Sequence, residues 1–460
     1  MLTIWGPRKV GRCDGVARRD FLKAGSLSLA GLTLGDALRA RAATSSSAGP
    51  SANNKSVIIY WVDGGPSHLE TYDPKPDAPA EFRGMFRPIR TNVPGIYINE
   101  LLTEHTKVMD HCALLRSVHH DSGDHFAGAH MMLTGYFGAT GANTDPVYPS
   151  AGSIVTKLRG PNAPGVPPYV AVPHAATVGI VPGYNSATYL GVAYNPFPAG
   201  GDPNAAGYRV PNLDLPGELS LGRLDDRRGL LSTFDRMRCE ADRSGVMRGL
   251  DSFNQQAFSM VTGEAAREAF NIGAEDPRLR DKYGRDTYGQ SALLARRLVE
   301  AGVTFVTIHN GGWDHHWDLE PGMKSRLPSF DRSIATLIGD LADRGMLDDT
   351  LVLVMGEFSR TPRLNNGGNG GPPLSMGQPG RDHWGNVMSV LAAGGGVRGG
   401  QVVGASNSKG EFPAERPIVP ADILATLYHI MGIDLTAHFT NLAGRPVPIN
   451  NGGQVIGELL

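Results

Sequence analysis

Short continuous runs of apolar and β-branched residues, each closed by Gly, Asp, Asn or Pro, recur at 56–62, 112–118, 169–172, 304–308, 350–355 and 386–392. Runs of this length without polar alternation predict strands buried on both faces. Between them the apolar spacing changes. Leu293, Leu294, Ala295, Leu298 and Val299 within 289–301, and Phe330, Ile334, Leu337, Ile338 and Leu341 within 328–344, repeat with helical period. Strand and helix patterns in alternation predict an α/β fold: three layers, with a mostly parallel central sheet and helices on both faces. In that architecture the binding crevice lies beyond the carboxyl ends of the strands.

Other stretches interrupt the alternation. Residues 160–222 are rich in Pro, Gly, Asn and Tyr with little periodicity, which predicts a long insertion shaping the rim of a site, with disorder as the alternative. A helical cap is expected at 227–280, and 367–380 is a second loop rich in Gly and Pro. At the N-terminus, Arg18-Arg19-Asp20-Phe21-Leu22-Lys23 precedes a mildly apolar run and then Ala40-Arg41-Ala42. That order predicts a twin-arginine export signal over 1–42, a flexible leader over 43–55 and one large domain over 56–460. The apolar run of about 11 residues is too short for a hydrocarbon core that needs about 20, so no stable membrane span is expected. The expected location is periplasmic or secreted, with the twin-arginine export machinery as a partner.

A formal net charge of −2 carries no electrostatic footprint for nucleic acid. Of three cysteines, Cys13 falls in the signal; Cys112 and Cys239 read as two buried free thiols, with a bridge as the alternative.

Chemistry gathers around the strand ends. The first run closes on Asp63-Gly64-Gly65-Pro66-Ser67-His68, and 304–308 is followed by His309-Asn310-Gly311-Gly312-Trp313-Asp314-His315-His316. The run 350–355 leads into Gly356-Glu357-Phe358-Ser359-Arg360, and Gly380-Arg381-Asp382-His383-Trp384 precedes the run at 386–392. Singly, such residues cap helices or make ordinary hydrogen bonds. Four clusters in one fold are different, because several carboxylates held together without a cation repel one another and lose hydration. Mixed carboxylate and imidazole donors suit zinc, manganese or calcium as the divalent ion.

These motifs, in this order and over nearly the whole chain after the signal, resemble the bacterial exported family known as domain of unknown function 1501. That family is itself similar to the alkaline phosphatase and sulfatase superfamily. Pro420-Ala421-Asp422-Ile423-Leu424-Ala425-Thr426-Leu427 is similar to the helix that often ends sulfatase domains. The resemblance implies metal ligands at Asp63, Asp314, His316, Glu357 and His383, with Phe358 standing where a further ligand is usual. It implies a role for Arg360, and for Arg381, in holding the ester oxygens, unless Arg360 pairs with Glu357. Asp382, Asp124 and Ser67 are candidate outer partners or ligands, Asp382 being expected to orient His383. The usual nucleophile stands nine residues before a Thr-Gly, and here that position is His125, as nucleophile, ligand or acid and base.

The function so implied is an exported metal-dependent hydrolase of sulfate or phosphate esters on a small molecule or glycan. A sulfatase-like protein that binds an anionic glycan without turnover, and a metal-dependent phosphotransferase or mutase, are the alternatives.

Overall fold

The computed structural model describes residues 54–210, 213, 264–365 and 378–460. The expected export signal, Cys239, the 227–263 part of the cap and most of the loop at 367–380 lie outside the described residues.

Eight strands form the central sheet: β1 (Ser56–Asp63), β2 (Cys112–Val118), β3 (Tyr169–Val172), β4 (Phe197–Pro198), β5 (Phe305–Gly311), β6 (Thr350–Met355), β7 (Met388–Ala393) and β8 (Gln401–Val403). Their spatial order is β8-β2-β7-β6-β1-β5-β3-β4. Five of the seven pairings are parallel, and the two antiparallel ones both involve β7. Every residue of β1 is buried, as a strand covered on both faces requires.

Alternate residues of β1 divide between two cores. Ile58, Tyr60 and Val62 pack with α5 (Thr287–Glu300) and α6 (Leu319–Asp343), whereas Val57, Ile59 and Trp61 pack with α1 (His125–Thr134), α2 (Ala151–Arg159) and α7 (Pro420–Ile430). The sheet is therefore the middle of three layers. Two shorter helices, α3 (Glu264–Phe270) and α4 (Pro277–Tyr283), pack on α5 and bury Ala269, Phe270 and Tyr283 in its core. This part of the expected cap belongs to the helical layer instead.

Three boundaries depart from the sequence pattern in ways that matter. β5 continues through His309 to Gly311, so His309 is a sheet residue. α6 begins at Leu319 and runs through Pro328, because Leu319, Met323 and Leu327 add buried turns that offset the proline's missing N–H. The stretch at 160–222 supplies β3 and β4 as well as rim turns, and it buries Tyr184 and Ala187 against the second core. Cys112 is a buried free thiol.

Candidate metal centre

Because β7 runs antiparallel to β6, the segment before β7 reaches the same sheet edge as the segments after β1, β5 and β6. Four sequence clusters are thereby collected at one edge. Two glycines allow the close approach. A Cβ on Gly64, whose φ is +114°, would lie 2.7 Å from the backbone nitrogens of Trp313 and Asp314, and one on Gly128 of α1 would lie 2.8 Å from the Glu357 carbonyl. Gly64 thus admits the turn carrying Asp314, and Gly128 lets α1 present His125 beside Glu357.

The centre is built on Asp314. Its Oδ1 lies 3.0 Å from His316 Nε2 and 3.1 Å from His383 Nε2, and the two Nε2 atoms are 3.0 Å apart. His125 Nε2 lies 3.3 Å from Asp314 Oδ2. The opposite ring nitrogens face acceptors. His316 Nδ1 is 2.8 Å from Asp382 Oδ1, and His383 Nδ1 is 2.8 Å from the Gly123 carbonyl. A carbonyl and a carboxylate only accept, so the network assigns the protons to Nδ1. Lone pairs of His316 and His383 therefore converge on one another and on a carboxylate, an arrangement that calls for a cation between them. Ligands bound about 2.0–2.2 Å from a divalent ion lie roughly 2.8–3.6 Å apart, from octahedral to tetrahedral geometry, a range that includes these separations. Acceptors on the far nitrogens are the usual support of metal-binding imidazoles.

His125 bridges to a second carboxylate. Its Nδ1 lies 2.7 Å from Glu357 Oε1, which also accepts the Gly64 N–H at 2.8 Å. Glu357 is fully buried and its Oε2 has no hydrogen-bond partner, a donor atom available to a cation. Burial raises the Glu357 pKa, with the His125 bond pulling the other way. Burial would lower His125, but Asp314 and Glu357 hold it up to about 9. Against its partial desolvation, Asp314 is kept well below the usual carboxylate range by His125 and Arg360. Phe358 closes one wall, its buried ring 4.8 Å from that of His125 and 4.7 Å from that of His383. The residue standing where a ligand is usual packs against two of the imidazoles instead.

Several expected roles are revised. Arg381 is fully buried against the equally buried Glu70, Nε to Oε2 and Nη2 to Oε1 both 3.0 Å, and it donates further to the carbonyls of Arg83, Thr361 and Pro362. It is thus committed inside the protein and does not hold ester oxygens. Arg360 donates to the Gly64, Gly65 and Arg381 carbonyls and, at 2.5 Å, to Asp314 rather than Glu357; it fixes Asp314. Ser67 donates to Glu70. Asp124 caps α1, accepting from Phe126 N at 2.9 Å and Ala127 N at 3.0 Å. Asp382 supports His316, not His383. Asp63 directs its carboxylate to His309, with Nε2 to Oδ2 at 3.1 Å.

His120 places its Nε2 2.6 Å from the Glu357 carbonyl. Sequence reasoning passed over Glu70 and His174, whose ring lies 4.9 Å from that of His309. Only His309 was visible beforehand as part of a strand-end cluster.

Residues 54–460 match the model of a family described as Protein of unknown function (DUF1501). No curated protein matches the chain. Among solved structures it is similar to the lipoteichoic acid synthase LtaP from Listeria monocytogenes, at 10% identity and a TM-score of 0.36 over 88% of this chain and 75% of that one. It is similar to the PsFucS1 sulfatase from Pseudoalteromonas sp., at 13% identity and 0.36 over 82% and 68%. It is also similar to alkaline phosphatase from the Antarctic bacterium TAB5, at 13% identity and 0.34 over 82% and 98%.

Proposed function

The chain belongs to the DUF1501 family, and from the geometry of its candidate metal centre we propose that it is a divalent-metal-dependent hydrolase of sulfate or phosphate esters. One observation carries the reading: the Nε2 atoms of His316 and His383 meet Asp314 Oδ1 within 3.0–3.1 Å while both Nδ1 atoms are tied to acceptors. Asp314, His316 and His383 would hold the ion. When bound, it would polarise the ester and lower the pKa of a water.

The remaining roles belong to the chain's own groups. Arg360 fixes Asp314. Asp382 and the Gly123 carbonyl fix the two imidazoles. His125 engages a carboxylate at each ring nitrogen, Asp314 at Nε2 and Glu357 at Nδ1. That suits donation from Nε2 to the leaving alkoxide more than nucleophilic attack, which needs a free lone pair. Phe358 and the fully buried Glu357 limit water on the inner side. The overall reaction is ester plus water giving alcohol plus sulfate or phosphate.

The reading includes export through the twin-arginine pathway, with residues 1–42 removed. Elemental analysis of protein recovered from the periplasm or medium tests both parts. A stoichiometric divalent ion, together with turnover of aryl sulfates or aryl phosphates that His383→Ala abolishes, is expected. Protein found only in the cytoplasm, with residues 1–42 retained, would overturn export. Protein without metal and without turnover would overturn the activity.

A further inference from the structure

His130 stands in the middle of α1 and is fully buried. Its Nδ1 lies 2.7 Å from the Tyr136 carbonyl, and its Nε2 accepts the N–H groups of Val147 at 3.2 Å and Tyr148 at 3.3 Å. A carbonyl only accepts and an N–H only donates, so the network assigns a neutral ring with its proton on Nδ1. One imidazole thus ties both ends of the segment 136–148 to the helix that precedes it.

That segment runs back along α1. Tyr136 and Tyr148 stack at its base, their ring centroids 4.2 Å apart. Its tip, bridged between Thr140 and Asn143, returns to the start of the helix, where Gly141 donates to Asp124 Oδ2 at 2.8 Å. Asp124 caps α1 through its other oxygen. On one side of Asp124 is Gly123, whose carbonyl holds His383 Nδ1, and on the other is His125. The segment is therefore a strap, latched by His130 and bearing at its tip on residues that serve the metal centre.

The surroundings make the latch sensitive to protons. The ring meets those of Tyr148 and Tyr184 edge-on, at 5.9 Å and 5.4 Å. Other titratable groups on the elements packed around α1 are Tyr136 and Asp145 of the strap, Asp422 and Tyr428 of α7, and Glu357 after β6. Asp422 accepts from Val419 N and Gln454 N, and Glu357 is engaged by Gly64 and His125. Among the described residues no carboxylate pairs with His130, and burial pushes its pKa below the usual value against the pull of the Tyr136 bond. A proton on Nε2 would set a third donor against two N–H groups and leave both without an acceptor.

We propose that His130 is a proton-operated latch that positions His125: neutral, it holds the 136–148 strap on α1 and braces 123–125, and protonated at Nε2 it lets the strap go. The part played by His125 rests on the proposed function, whereas the latch does not.

Hydrogen–deuterium exchange of the full mature chain tests it, with protection referred to the unprotected rate at the same pH. Between pH 7.5 and pH 4.5 the wild type should lose about tenfold or more of its protection in 136–148, with 123–127 following and β1 unchanged. His130→Gln offers an amide oxygen near the Nε2 position and takes no proton, so it should keep the strap protected at both values. His130→Asn is too short to reach Val147 and Tyr148 and should leave the strap unprotected at both. Gly138→Ala keeps His130 but sets a methyl 2.7 Å from its Cε1. It should release the strap at both values, which keeps the test informative if the His130 variants do not fold. Strap protection that is independent of pH in the wild type, or as dependent on pH in His130→Gln as in the wild type, would overturn the latch. Loss in the strap with 123–127 unchanged would overturn the positioning of His125. With an aryl ester at pH 7.5, His130→Asn should lower kcat about tenfold at little cost in KM, and His130→Gln should restore it. Equal kcat in all three also overturns the positioning. A wild type without turnover overturns the proposed function and leaves the latch to the exchange result.

Discussion

The Nε2 atoms of His316 and His383 lie 3.0 Å apart, and each ring offers its Nδ1 proton elsewhere, one to Asp382 and the other to the Gly123 carbonyl. Two lone pairs and the Asp314 carboxylate thus share one small volume, which a cation stabilises. His316→Ala or His383→Ala is expected to weaken divalent-ion binding by more than the ~100-fold loss typical of outer partners. Calorimetric titration of chelator-treated protein measures it, and affinities unchanged within about threefold would contradict the arrangement.

Asp382 acts through His316. Asp382→Ala leaves every first ligand in place but frees the His316 ring, so a roughly 10–100-fold loss of metal affinity is expected. The decisive comparison is thermal: with chelator the variant and the wild type should melt close together, and with saturating metal the gain in Tm should be smaller for the variant.

Glu70 and Arg381 are both fully buried and paired through two 3.0 Å contacts. Removing one partner strands a charge, so Glu70→Gln and Arg381→Met should each cost about 3–5 kcal/mol in urea unfolding. The Glu70→Gln/Arg381→Met double variant should lose less than the sum of the two single losses, because no buried charge is left alone. An additive result would mean the pair is not coupled.

His68 provides a pH dependence away from the metal centre. Its Nδ1 lies 2.6 Å from Ser359 Oγ and its Nε2 3.0 Å from the Gly410 carbonyl, a neutral ring in a fully buried position. Burial pushes its pKa down to about 4, against about 6.5 when unfolded. Between those values the unfolded chain binds more protons, so stability rises with pH through the window and is lost as pH falls from 6.5 towards 4. The full span corresponds to about 3 kcal/mol. His68→Asn should lower stability at pH 7 yet lose less than the wild type on moving to pH 4.5. Parallel losses would show that His68 is not the group responsible.

Much of the architecture was legible beforehand because it is local. The runs that became β2, β3 and β6 keep the same bounds in the structure, since a continuous apolar stretch closed by turn residues needs no partner to be recognised. The residue types of the metal centre were legible for the same reason. Asp314, His316, Glu357 and His383 stand beside strand ends in the sequence, and His125 opens α1. What misled was local as well. Pro328 suggested a helix start, yet buried Leu319 and Met323 carried α6 across it. Arg381 beside Asp382 and His383 suggested a group facing an ester, yet its side chain leaves the crevice for Glu70.

By itself, then, the sequence determined where strands and helices form and which chemical groups reach the carboxyl edge of the sheet, because both follow from composition and period along a short stretch. Only the tertiary structure decided who faces whom. The antiparallel course of β7 delivers His383 to the same edge as Asp314. The parallel register of β1, β5 and β3 brings Asp63 to His309 and sets His174 nearby. Glu70 meets Arg381 across 311 positions of chain. Such pairings depend on strand order, register and side-chain direction, which residues distant in sequence fix together and which no short window contains.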